Sequence, residues 1–155
     1  WAGFKQYDEM KSTGLPRVLG VQAAGAAPLV LGHTVEQPET VATAIRIGKP
    51  ARGEQALQAA EESKGRIIAA TDEQILKMQR TLAALEGIWV EPASAAGLAG
   101  LAVEIDGGTL NVKGKRVVAI CTGHGLKDPE IITKDMQKPL IVPPRVEALE
   151  EIILR

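Results

Sequence analysis

The sequence predicts an α/β fold with a mainly parallel, open sheet and helices on both faces. Three observations support this prediction: short apolar runs alternate with helical patterns, clear helix start and stop signals separate them, and no internal repeat interrupts the order. Such alternation is typical of parallel sheets, because each parallel connection needs a crossover that is usually a helix. The 155 residues are enough for one domain with a buried core.

The first half of the chain contains two predicted strands. Aromatic and apolar residues three positions apart predict a first helix that ends near Gly14. They are Trp1, Phe4, Tyr7 and Met10. Apolar runs then predict strands at 17–21 and 66–70, and an amphipathic pattern at 53–63 predicts the helix between them.

The strongest helix start in the second half is Thr71. Its hydroxyl suits an N-cap, and the two acids that follow it favour the positive end of a helix. From there the patterns predict, in order, a helix to Leu85, a strand at 88–90, a helix at 93–105, a strand at 116–121 and a helix at 143–154. Pro92 stands where a first helical residue is expected.

Composition and charge exclude several classes of protein. A net charge of −1 gives no electrostatic reason to bind nucleic acid or an anionic membrane, and the small aromatic content of 3% disfavours base stacking. No stretch approaches the roughly 20 apolar residues of a membrane-spanning helix. Cys121 is the single cysteine, which excludes an internal disulfide and suits a reducing compartment. We therefore predict a cytoplasmic protein with neither nucleic-acid nor membrane partners.

The start of the sequence is unusual. The chain opens on Trp1, and its first methionine is Met10, inside the first predicted helix. An initiator methionine is normally removed only before a small residue. We therefore expect this chain to be cut from a longer protein.

Chemistry is expected at the carboxyl ends of the strands, where ligands gather in open α/β sheets. Three such junctions combine small residues with polar groups, namely 22–25, 91–94 and 122–125. Glycine and alanine there permit the close approach of backbone to a ligand. The residues alone thus indicate an α/β ligand-binding half-domain.

Structural readings compete with each candidate. Glu91 has the place of a helix-start acid, and Ser94 lies in a first turn where it can satisfy local backbone groups. Cys121 ends an apolar strand and fits a core position better than a nucleophile. The two histidines, His33 and His124, have no acid cluster at ligand spacing, so no metal site is predicted.

Four stretches, in this order and spacing, resemble the threonine synthase family. They are Leu15–Pro28, Thr43–Gly48, Glu86–Ala96 and Thr122–Pro129. The run Thr-Gly-His-Gly-Leu-Lys-Asp-Pro together with Ala-Ile-Arg-Ile-Gly makes the resemblance specific. It covers nearly the whole chain and corresponds to roughly the C-terminal half of the family's chain.

The resemblance implies a pyridoxal 5'-phosphate enzyme of the tryptophan-synthase-β fold type, with the cofactor between a larger and a smaller domain. Residues 1–155 would be the C-terminal segment of the larger, cofactor-binding domain, which is incomplete here. The implied reaction is that of a lyase in threonine biosynthesis, which converts O-phospho-L-homoserine and water to L-threonine and phosphate. The implied partners are this substrate, the missing N-terminal part and, in the intact enzyme, further copies of the protein.

The resemblance also implies roles for individual residues. Thr122 matches the hydroxyl that hydrogen-bonds the pyridine nitrogen of the cofactor. Glu91, Ser94 and the backbone at Ala23 and Ala24 match positions around the ring and substrate. The family's Schiff-base lysine lies upstream of these motifs, so no catalytic residue is expected in this chain, and the chain alone is expected to be inactive.

Two other functions remain compatible with the same residues. One is a segment of another pyridoxal-phosphate amino-acid lyase or dehydratase, since such enzymes share versions of these motifs. The other is a non-catalytic α/β module that binds a partner chain.

Overall fold

The computed structural model, which describes residues 1–134 and 139–154, has a parallel pair of strands at its centre. Strand β1 (Leu19–Ala23) pairs with β2 (Arg66–Ala70), and the register runs from Leu19 opposite Arg66 to Ala23 opposite Ala70. Strand β2 has the limits that its apolar run predicts, and β1 begins and ends two residues later than the predicted 17–21. The predicted α/β class with a parallel sheet is therefore confirmed, with a sheet of two strands in the described part of the chain.

The described residues form seven α-helices. They are α1 (Ala2–Lys11), α2 (Pro28–Leu31), α3 (Gly53–Glu62), α4 (Asp72–Glu86), α5 (Pro92–Asp106), α6 (Glu130–Thr133) and α7 (Val146–Ile153). Two short 3-10 turns occur at Thr43–Ile45 and Gly125–Lys127. Over residues 1–134 and 139–154, none of the helices has both the length and the apolar character needed to cross a membrane.

Helix α4 has well-defined ends. The Thr71 hydroxyl accepts a hydrogen bond from the Gln74 amide at 3.2 Å, and the Gln74 side chain accepts one from the Thr71 amide at 2.8 Å. This reciprocal pair satisfies two backbone donors that have no partner inside the helix. Gly87 ends the helix in the left-handed conformation, where glycine has no steric penalty.

Helices pack on both faces of the sheet. Alternate residues of a strand point to opposite faces, so Val21 and Ile68, which are paired, share one face. Helix α5 covers that face so closely that a Cβ on Gly100 would overlap the Val21 side chain and lie only 3.1 Å from Ile68. On the other face, the Gln22 side chain accepts a hydrogen bond at 2.9 Å from the amide of Leu29 in α2.

The core is built mainly from small side chains. Its buried members include Ala23, Ala42, Ala70, Ala95, Ala96 and Ala99, with Ile75 and Val90 as the larger ones. Because alanine and glycine are small, α5 can approach the strands closely. The atoms of the helix and the sheet are therefore packed tightly although few large side chains lie between them. The carboxyl ends of both strands and the start of α5 therefore belong to one cluster.

Two predicted strands are not formed in the described residues. Segment 116–121 has no regular structure and is exposed, with Val118 and Ile120 each 79% exposed. Segment 88–90 makes only an isolated bridge, between Val90 and His124. Both strand predictions are therefore wrong for the described residues. Apolar, β-branched composition favours a strand, but a strand also needs a neighbour to complete its ladder.

The first helix is confirmed, but its aromatic stripe is exposed. Phe4 and Tyr7 are 54% and 55% exposed. The helix is held to α3 by the Glu62 carboxylate, which accepts hydrogen bonds from the Lys5 ammonium and the Trp1 indole. These bonds, with the Lys5 bond the largest cause, lower the pKa of Glu62 to about 2.

Candidate cofactor site

The candidate site is the loop 122–128, which is fastened to the segment that leads into α5. The Glu91 amide donates to the Gly123 carbonyl at 3.0 Å, and the Gly125 amide donates to the Trp89 carbonyl at 3.2 Å. These bonds lie on either side of the bridge between Val90 and His124. The loop thus follows the Trp89–Glu91 segment in antiparallel fashion.

Ser94 is the main side-chain attachment of the loop. It is buried in the first turn of α5, and its hydroxyl oxygen accepts hydrogen bonds from the amides of Thr122 at 3.0 Å and Gly123 at 2.7 Å. The same oxygen lies 3.2 Å from the Thr122 hydroxyl and 3.3 Å from the Gly123 carbonyl. One buried hydroxyl therefore fixes both the backbone and the side chain of Thr122. The alternative that Ser94 satisfies local backbone groups is therefore wrong, because the backbone groups that its hydroxyl binds lie 28 and 29 residues away.

Glu91 is a buried carboxylate, only 2% exposed, in the N-cap position of α5. Its side chain makes no capping hydrogen bond to that helix, so the helix-start reading does not account for it. Its carboxylate pairs instead with the Lys127 ammonium, with Nζ 3.2 Å from Oε2 and 3.4 Å from Oε1. The charge of Lys127 compensates a carboxylate that is otherwise costly to bury.

The glycines of the loop are required by close packing. A Cβ on Gly123 would overlap the Glu91 carboxylate, and a Cβ on Gly125 would overlap the Trp89 indole. Both positions therefore exclude larger residues for reasons of space. Close approach of the loop backbone to a ligand, the role expected of these glycines from the sequence, stays a prediction.

A further attachment reaches the loop from the segment before α3. The Thr43 hydroxyl donates to the Asp128 carboxylate at 2.6 Å. Segment 40–42 is in turn held by Asp72, which accepts hydrogen bonds from the Thr40 hydroxyl at 2.5 Å and the Val41 amide at 2.9 Å. The loop is thus linked through two carboxylates to the start of α4.

The structure brings together most of the predicted site residues. Thr122 is exposed, and its amide donates a hydrogen bond to the Ser94 hydroxyl. Glu91 contacts the next residue, Gly123. Ala23 is fully buried and belongs to the same core cluster as Val90 and Ala95. Ala24 is exposed, and its amide donates to the Ala70 carbonyl at 2.8 Å. Among the described residues it has no hydrogen bond to Thr122, Glu91 or Ser94.

Sequence reasoning missed the ion pair of Glu91 with Lys127 and the bond of Thr43 to Asp128. Lys127 and Asp128 lie inside a motif that was identified, but neither received a role. Both contacts join residues far apart in the chain, 36 and 85 positions respectively. The available signal in the sequence was an acid, Glu91, in one matched motif and a lysine, Lys127, in another.

The chain matches a family model described as pyridoxal-phosphate dependent enzyme over residues 1–123. The chain belongs to that family, whose cofactor is pyridoxal phosphate. The match includes both strands, helices α1 to α5 and the first two residues of the loop.

Among curated proteins, the chain is similar to several threonine synthases. It is 53% identical to that of Mycobacterium leprae (strain TN) over 150 residues, which are 96% of this chain and 41% of the relative. It is 48% identical to that of Halalkalibacterium halodurans over 144 residues, 92% of this chain and 40% of the relative. The chain thus spans about 40% of the length of these relatives. A solved structure of a threonine deaminase from T.th. matches with a TM-score of 0.48 and 29% identity, over 67% of this chain and 38% of the other.

The residues of the loop fit one edge of the family's cofactor. Thr122 offers an uncharged, exposed hydroxyl, which is a suitable partner for a pyridine nitrogen. Its own backbone is fixed by Ser94, so the hydroxyl has a defined position. The nearby buried carboxylate of Glu91 is paired with the Lys127 ammonium.

Proposed function

We propose that this chain is part of a threonine synthase, which converts O-phospho-L-homoserine and water to L-threonine and phosphate. Within it, residues 1–155 form the C-terminal segment of the larger cofactor-binding domain. The observation that carries the proposal is a sequence identity of 48–53% to threonine synthases over more than nine-tenths of this chain. The fixed Thr122 hydroxyl supplies a site of the chemistry that such an enzyme requires.

Thr122 would hold the ring nitrogen of pyridoxal phosphate. When bound, this cofactor supplies an electron-withdrawing conjugated ring that stabilises carbanions formed from amino acids. A hydroxyl, unlike a carboxylate, does not favour protonation of the ring nitrogen. Thr122 therefore keeps the ring a mild electron acceptor, which helps confine the chemistry to loss of phosphate and addition of water.

The surrounding residues would orient that hydroxyl and limit its motion. Ser94 holds the Thr122 amide, and the backbone at Ala23 and Ala24, at the end of β1, would lie beside the ring. Accurate orientation matters for catalysis because a displacement of about 1 Å at the reacting groups can lower the rate roughly 100-fold.

The test is an assay of the full-length protein that contains this chain. Purified protein with pyridoxal phosphate is supplied with O-phospho-L-homoserine, and phosphate and L-threonine are both quantified. We expect the two products in equal amounts. Formation of 2-oxobutyrate from threonine, without phosphate release from phosphohomoserine, would instead assign the protein to the dehydratases.

Thr122 variants test the ring-nitrogen contact within the same assay. Thr122→Val keeps the shape without the hydrogen bond, and we expect turnover to fall about tenfold, equivalent to ~1.4 kcal/mol, the order of one hydrogen bond. Thr122→Ser should restore most of the turnover, and Thr122→Asp should increase 2-oxobutyrate. Thr34→Val, at an exposed position of another loop, is the control. Wild-type turnover and product ratio in Thr122→Val would show that this hydroxyl does not contact the ring nitrogen.

A further inference from the structure

The Glu91 and Lys127 pair is unusual because its two members are so differently exposed. The Glu91 side chain is 2% exposed, whereas the Lys127 side chain is 62% exposed. An exposed ammonium gains little from a surface ion pair, but a buried carboxylate without a partner is strongly unfavourable. The ion pair therefore mainly offsets the free-energy cost of burying the Glu91 carboxylate, and stabilises the exposed lysine little.

Glu91 is in contact with the loop at two places. At one end, its amide donates to the Gly123 carbonyl and its carboxylate packs directly against Gly123. At the other end, the same carboxylate binds Lys127 in the 3-10 turn Gly125–Lys127. Residues 123 to 127 are thus held at both ends by one residue, immediately after Thr122.

We propose that Glu91 and Lys127 are positioning residues that fix the Thr122–Gly123 turn, and with it the Thr122 hydroxyl, against the cofactor ring. This inference rests on the proposed ring-nitrogen contact of Thr122. Lys127 keeps the carboxylate in place against Gly123, and the carboxylate keeps the backbone of Gly123 in place beside Ser94. The pair acts on the cofactor only through the loop, so neither side chain has to contact the ring.

The test uses Lys127→Met in the full-length protein, with two measurements that need no substrate. Without cofactor, native-state hydrogen exchange should show the Gly123 and Gly125 amides exchanging about tenfold faster, because the loop has lost one end of its attachment. With pyridoxal phosphate, the dissociation constant should rise about tenfold, equivalent to ~1.4 kcal/mol, and the absorbance band of the bound cofactor should shift.

Three further variants separate positioning from a general loss of structure. Lys127→Arg should restore the exchange rates and the cofactor affinity. Glu91→Gln with Lys127→Met removes both charges, so its global stability should exceed that of Lys127→Met, while its loop amides should exchange as fast. Lys113→Met removes an exposed lysine outside the loop and should match the wild type.

The outcomes distinguish this inference from the proposed function. If Lys127→Met leaves loop exchange, cofactor affinity and the absorbance band unchanged, the positioning role is wrong, whatever the substrate proves to be. Wild-type loop exchange in the double variant would also overturn it. Failure of the phosphohomoserine assay alone would reject the proposed reaction and leave these measurements decisive.

Discussion

Replacing Ser94 by alanine should release the candidate loop with only a moderate loss of global stability. The Ser94 oxygen accepts two backbone hydrogen bonds, at 3.0 and 2.7 Å, and each contributes roughly 1 kcal/mol net. Their loss destabilises the attachment of the loop by about 2 kcal/mol, a factor of roughly 30 in its opening equilibrium. Alanine also has a higher helix propensity than serine, which offsets about 0.5 kcal/mol of the global cost.

Native-state hydrogen exchange is the assay that separates the two effects. The amides of Thr122 and Gly123 should exchange roughly 30-fold faster in Ser94→Ala, while those of α4 should change much less. The matched control is Ser63→Ala, since Ser63 is also buried and also makes two hydrogen bonds, to the Ala60 carbonyl and the Val18 amide. If both variants give the same exchange rates at Thr122 and Gly123, the reasoning about Ser94 fails.

Two other predictions concern packing and pH. Gly100→Ala should destabilise the protein by about 1–3 kcal/mol in urea unfolding, because the added Cβ overlaps the Val21 side chain and lies tightly against Ile68. Gly97→Ala, where a Cβ meets nothing within 4 Å, should instead stabilise the protein by about 0.5–1 kcal/mol. If the free energy of unfolding changes in the same direction in both variants, the packing argument is wrong. Because the pKa of Glu62 is lowered from 4.5 to about 2, the attachment of α1 should be complete above pH 4.5 and be lost as pH falls towards 2. The chemical shift of the Trp1 indole N–H in NMR spectra reports this transition. The pH-dependent change of that shift should be absent in Glu62→Gln.

Local signals in the sequence were enough to place most of the fold. Strand β2 has the predicted limits, and the Thr71 cap and the Gly87 stop bound α4 within one residue of the prediction. These features succeed because caps, turns and amphipathic periodicity act over a few residues. Pairing between strands does not, and segment 116–121 shows the limit, since its composition says nothing about which neighbour would complete it.

The candidate site was predicted by resemblance more than by chemistry. The motifs located Thr122, Ser94 and Glu91 correctly as neighbours, which no periodicity in the sequence indicated. What the motifs did not give was the direction of each contact: the Ser94 hydroxyl points at the loop backbone, and Glu91 selects Lys127 as its partner. Such contacts depend on how α5 and the loop pack against each other. The sequence shows which residues are present, but not which of them come into contact.

The ion pair of Arg66 with Glu104 fixes the C-terminal part of α5 to β2, so a small tilt of the helix moves its N-terminal part. Glu104 is anchored to β2 near one end of the helix, and Ser94 lies ten residues, or about 15 Å, closer to the other end. A tilt of only about 4° around the anchored end would displace Ser94, and the loop bonded to it, by roughly 1 Å. We therefore expect substitutions at the contact between α5 and β2 to shift Ser94 and the loop bonded to it, and, in the proposed enzyme, to change the turnover.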